Sequence, residues 1–315
     1  MSASMRAGAL ALISMLLLVL VLAGGPPAAT SAQRATQPVA PAQGGPLTAG
    51  WVATEGIDSP ESVYVDPETG FIFSSQVVGQ PDGRDGNGRI VKMRGDGRIV
   101  STTWVTGLNA PKGLRSWRGT LFTADIDEVV GIEIASGRIV SRVRVPGAQF
   151  LNDVACGADG TVYVSDMMGN RIHAVKNGTV SVFAEGEQLE WPNGLLVDGD
   201  RLIVGGWGKP EADFSTKVPG RLFAISLATK QKTPITPQPF ANIDGVERDG
   251  RGGYIVTDWA AGKVLQVGPT GTVRELRTFA QGTADHAFVA ASRILIVPHM
   301  SENKVAAYDL SDVLK

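Results

Sequence analysis

Six polar side chains fall at one place in six similar segments: Glu61 in PESVYVD, Lys112 in PKGLRSW, Asn152 in LNDVACG, Asn193 in PNGLLVD, Asp244 in IDGVERD and Asp285 in ADHAFVA. Five of the six offer oxygen. Carboxylates and amide carbonyls are the ligands a hard divalent cation prefers, calcium first, with zinc or magnesium as alternatives. A cation with open positions polarises a carbonyl and lowers the pKa of an attacking water. Lys112 adds a positive charge to the same register; it could pair with Glu61 or Asp285, or hold an anionic substrate. His286 stands where other copies carry Gly113, Gly194 and Gly245. An imidazole there could act as a general base near neutral pH, or serve only in packing and hydrogen bonding.

Bringing those residues together falls to the repeat itself. The steps between them are 51, 40, 41, 51 and 41 residues, close to the length of one four-stranded propeller blade. Copy three reads as hairpins: a strand from Asp153, a turn at 158–160, TVYVSD, a turn at Gly169 and Asn170, RIHAV, a turn at Asn177 and Gly178, then TVSVFAE. Short alternating runs joined by Gly, Asn and Asp are hairpin signals. No helical period is sustained after the first 24 residues, so helices should be scarce. Copy six has room for three strands only. An unpaired outer edge would invite aggregation, and TAGWVATEG, just before copy one, is the segment to fill it. The fold class predicted is all-β: a six-bladed β-propeller with four antiparallel strands per blade, the last completed by the N-terminal strand.

In that topology each ring residue precedes the innermost strand of its blade, so all six lie at one mouth of the channel. The loops after the second strands rise to the same mouth. Two of them are long, VGQPDGRDGNG in blade one and WGKPEADFSTKVPG in blade four, and both should overhang the site. A second register, Asp125, Asp166, Asp258 and His299, with Gly206 in blade four, ends the second strands. Its aspartates read as structural acceptors for nearby backbone N–H groups. His173 reads as structural, and Cys156, the single cysteine, as a small buried strand residue.

Composition excludes other classes. The net charge is −2, with no basic field for nucleic acid or an anionic membrane. One cysteine permits no intramolecular disulfide. There is no G-x-S-x-G, H-E-x-x-H or P-loop. Residues 7–24 are uncharged and mostly apolar behind Arg6, with Thr30, Ser31 and Ala32 as a cleavage site. Residues 1–32 are therefore expected to be a signal peptide, with an uncleaved anchor as the alternative, and 33–46 a flexible Pro/Ala-rich leader. Residues 47–315 form the propeller. The expected location is extracytoplasmic, periplasmic or secreted, as a monomer whose partner is a small molecule, with no membrane contact beyond the export signal.

At the ring residues the chain resembles the regucalcin, gluconolactonase and luciferin-regenerating-enzyme family (senescence marker protein-like) over essentially all of 47–315. The resemblance implies a divalent metal held by Glu61, Asn193 in PNG and Asp244 in IDG; the catalytic candidates are Asp244 and the His286 already singled out from the repeat. It also implies a substrate contact from Asn152 in FLND. Two departures bear on the substrate. Phe150 stands where sugar-lactonase relatives carry an arginine, and Lys112 stands where relatives are uncharged. With Trp207 and Trp259 near the mouth, Phe150 suggests a pocket for hydrophobic acyl or aromatic groups. The function expected is an exported metal-dependent hydrolase of lactones or related esters, with Lys112 and Phe150 contacting substrate. The alternative is a non-catalytic propeller that binds a small ligand or a protein.

Overall fold

Alternating strands and tight turns assemble locally, and the ring is what their leftover apolar faces require. The computed structural model describes residues 44–211 and 213–314. It is a propeller of six sheets, each of four antiparallel strands. The innermost strands are Pro60–Val65, Pro111–Trp117, Leu151–Cys156, Pro192–Asp198, Ile243–Arg248 and Ala287–Val289. Each touches the innermost strands of its neighbours. Among the described residues the only helical elements are two short 3₁₀ turns, Glu187–Leu189 and Met300–Glu302.

The last sheet runs Ala287–Val289, Ile294–His299, Lys304–Asp309 and then Val52–Ala53, the first strand among the described residues. Val52 pairs with Ala306 and Ala53 with Val305. The N-terminal strand thus closes blade six, as the missing fourth strand required. A second seam closes the ring inside: Ser62 bridges Asp285 in parallel, with Val63 N donating to Asp285 O and Asp285 N to Glu61 O, both at 3.0 Å.

Hydrophobic clusters fill the junctions between successive blades. Phe73 and Ile90 meet Leu121 and Ile132 between blades one and two; Val63 and Val91 meet Ile296 and Val305 between one and six. Burying such a side chain stabilises the fold by ~1.5–3 kcal/mol. Every blade is held from both sides, which makes the ring a rigid frame for its mouth. The expected signal, 1–32, and residues 33–43 of the expected leader lie outside the described residues. Gly44, near the leader's end, is hydrogen-bonded to Thr69 and Gly95 of blade one. No helix among the described residues is long and apolar enough to cross a membrane.

Candidate active site at the channel mouth

The ring residues sit in bulges. In five blades the pairing of innermost and second strands slips at the same place: between Pro60 and Ser62, Pro111 and Leu114, Leu151 and Val154, Pro192 and Leu195, and Ile243 and Val246. A bulge releases residues from strict two-sided alternation and re-aims them. Neighbours such as Asn152 and Asp153 are therefore both buried in polar surroundings. Hydroxyls of the second strand satisfy the released backbone. Ser62 N and Asp153 N donate to Ser75 Oγ and Ser165 Oγ at 2.9 Å, and Gly245 N donates to Thr257 Oγ1 at 2.8 Å.

The second register anchors the loops that lead into those bulges. Asp125 accepts N–H from Asn109 and Ala110, and Asp166 from Gln149 and Phe150. Gln76 takes the same part in blade one by accepting from Asp58 N at 2.8 Å. Asp166 and Asp258 also accept from the turns that follow, at Gly169 N and Ala261 N. The aspartates are structural in the sense expected, and Asp166 fixes the backbone of Phe150. His299 is a packing residue, its Nε2 2.9 Å from the Tyr308 hydroxyl and its ring edge-on to Phe279.

Glu61, Lys112, Asn152, Asn193 and Asp244 line one cavity of about 160 Å³ at the mouth. Asn193 Nδ2 donates to Asp244 Oδ1 at 2.8 Å. That bond fixes the amide and leaves Asn193 Oδ1 without a partner. Glu61 Oε2 is likewise buried and unpartnered. Burial, then Asp244, pushes the Glu61 carboxyl well above the carboxylate range, while Lys112 pulls it back. Asp244 is raised by burial and then by Asp285. Buried oxygens without donors are costly, and two unpartnered oxygens beside a second carboxylate form a donor set that suits a divalent cation. The set is lean: two carboxylates and an amide. Among the described residues no three His, Cys, Asp or Glu side chains gather as a metal cluster.

Asp285, the sixth ring residue, is not in the cavity lining. It accepts a 2.5 Å hydrogen bond from Ser62 Oγ, and burial then Asp153 raises its carboxyl. A second polar layer follows one residue on, at Ser62, Asp153 and His286. Asp153 accepts N–H from Val154 and Leu195, both at 2.6 Å, joining blades three and four. The other copies are glycine for lack of room: a methyl on Gly113 would come within 2.6 Å of Asp153 Cα, and one on Gly245 within 2.7 Å of His286 Nδ1. His286 itself does not line the cavity. It lies 3.4 Å from Thr257 Oγ1, and burial, then Arg115, lowers its pKa to about 3. It is held neutral, its Nε2 is buried without a partner, and it stands behind the cavity lining rather than in it. Across the ring, Arg115 of blade two pairs with Glu247 of blade five at 2.7 Å.

Above the polar ring sits an apolar collar that sequence reasoning caught only in part. Phe150, Met167 and Trp207 pack with Trp191, Phe214 and Trp259. Trp207 and Trp259 lie 6.0 Å apart, Phe150 and Phe214 5.7 Å. Val77, Met167, Trp207, Trp259 and Met300 all line the cavity, and each directly follows a second-register position. The signal was present: one step after that register every copy is apolar, Ile126 included. Both long loops reach the cavity as expected, through Pro81 from blade one and Asp213 and Phe214 from blade four.

No protein-family model matches the chain, and a search of curated proteins finds none that matches. Solved structures do match. A gluconolactonase from Xanthomonas campestris aligns over 83% of this chain and 87% of its own, at TM-score 0.57 and 15% identity. A catalytically inactive virginiamycin B lyase from Staphylococcus aureus, solved with quinupristin, aligns over 82% and 97%, at TM-score 0.56 and 14% identity. A nidogen/laminin complex aligns over 73% and 89%, at 0.56 and 14%. At such identities the likeness is one of fold. Two of the three are enzymes and the third is a protein assembly, so the frame alone does not choose the chemistry.

Proposed function

We propose that this protein is a hydrolase of lactones or related esters, working at the channel mouth with a divalent cation, calcium first, on Glu61, Asn193 and Asp244. The observation that carries the reading is the pair of unpartnered buried oxygens, Glu61 Oε2 and Asn193 Oδ1, opening beside Asp244 in one cavity. A cation bound there supplies Lewis acidity toward a carbonyl and toward a water. The chain's residues do the rest. Asn193 orients Asp244 through its Nδ2, leaving Asp244 Oδ2 to take a proton from water. Asn152 faces the same cavity and can donate to the acyl oxygen. The collar of Phe150, Trp207 and Trp259 keeps bulk water from the ester and favours an apolar acyl or aromatic group. His286 has no part in this scheme. Residues 7–24 support an exported enzyme.

The test is a panel of aryl esters and of aliphatic, aromatic and sugar lactones, assayed with calcium, zinc and chelator, alongside calorimetry of calcium binding. Turnover should be chelator-sensitive, and Glu61→Ala and Asp244→Ala should each abolish calcium binding. Unchanged calcium binding in both variants would refute the metal assignment. A second reading, a non-catalytic propeller that binds a ligand, draws on the fold likeness to nidogen in its laminin complex. Absence of turnover on every member of the panel would favour it.

A further inference from the structure

Lys112 is 2% exposed, yet no carboxylate among the described residues forms an ion pair with it. Its Nζ donates to two neutral carbonyls, Pro81 O at 2.8 Å and Ala110 O at 2.9 Å, and lies 4.4 Å from the centre of the Phe150 ring. An ammonium carries three donors, so one N–H remains beyond those two bonds, and Lys112 lines the cavity. Burial lowers its pKa to about 8, with Glu61 pulling it back up, so it is mainly a cation at neutral pH. A buried ammonium whose hydrogen bonds go only to neutral carbonyls is expensive, and a ligand that brings an anion to its third N–H relieves the cost. Aromatic side chains line the same cavity: Trp207, Phe214 and Trp259. The free N–H of Lys112 therefore suits the charged end of such a ligand, and the indoles suit its apolar body.

We propose that the cavity selects an aromatic or alkyl compound bearing a carboxylate, which Lys112 binds while the collar holds the hydrophobic body. This deepens the hydrolase reading, on which it rests for the ester chemistry, by naming an acidic hydrophobic ester or lactone, or its hydroxy-carboxylate product, as the ligand. The experiment measures binding rather than turnover, which keeps the two readings separable. Titrate 3-phenylpropionate and its neutral amide into the full chain with calcium present, by calorimetry and by tryptophan fluorescence. A charge-assisted hydrogen bond should favour the acid by about tenfold or more. Lys112→Met should lose that preference while keeping amide affinity, and Lys112→Arg should retain it. Equal binding of acid and amide to the unmutated protein would overturn the proposal without any mutant. So would an undiminished acid preference in Lys112→Met, which would place the carboxylate on the cation instead. Tight acid binding with no turnover would leave the proposal standing and defeat the hydrolase reading alone.

Discussion

Replacing Asp153 by asparagine should remove part of the protein's pH dependence, and the structure sets the size of the effect. Burial raises this carboxyl to about 7, against the pull of Arg115 and the N–H groups of Leu195 and Val154; its ordinary value is 3.8. Between those values the folded chain keeps a proton that the unfolded chain has lost. Stability must then fall as pH rises from about 4 to about 7, and level off above. Each tenfold change in proton affinity is worth ~1.4 kcal/mol, so this group alone can withdraw up to roughly 4 kcal/mol by pH 8. Glu61, Asp244 and Asp285 are raised by burial too and act with the same sign. Asparagine has nearly the same shape but turns an NH₂ toward an N–H donor, at a cost of ~1–3 kcal/mol. Asp153→Asn should be less stable than the parent at pH 5, with the gap narrowing or reversing by pH 8. Denaturant unfolding at pH 5, 6, 7 and 8 in chelator measures it. A gap that stays constant across that range would show that Asp153 does not titrate there and would refute the argument.

Three other outcomes are expected. Gly113→Ala should lose at least ~1–3 kcal/mol, because its methyl meets the Asp153 backbone, which cannot swing aside; thermal unfolding reads this directly. Arg115→Met strands Glu247 inside the channel and should cost ~3–5 kcal/mol. The double variant with Glu247→Leu should recover much of that, and no recovery would mean that the pair is not the coupled unit its 2.7 Å contact suggests. Side-by-side kcat/KM values should favour aryl esters or alkyl lactones over gluconolactone, with Phe150→Arg moving the preference toward the sugar; a parent enzyme that prefers gluconolactone would defeat the apolar-pocket argument.

The sequence by itself determined the architecture, because propeller signals are local and recur six times. Turn residues, short alternating strands and the spacing of Glu61, Lys112, Asn152, Asn193, Asp244 and Asp285 are all visible along the chain. The missing fourth strand after Lys304 predicted that the segment TAGWVATEG completes blade six, and there Val52 pairs with Ala306. Only the tertiary structure decided how the side chains share space. The bulges sent Glu61 and Asp244 to the cavity, while Asp285 turned to Ser62 and His286 to Thr257. Lys112, which by sequence could have paired with a carboxylate, turned to the Pro81 and Ala110 carbonyls. Arg115 and Glu247 carry no pairing signal, since they stand 132 residues apart and meet only when opposite blades face each other. A repeat fixes which position in each blade reaches the mouth. Which of six unlike residues takes which partner depends on distances across the ring, and these exist only once it has closed.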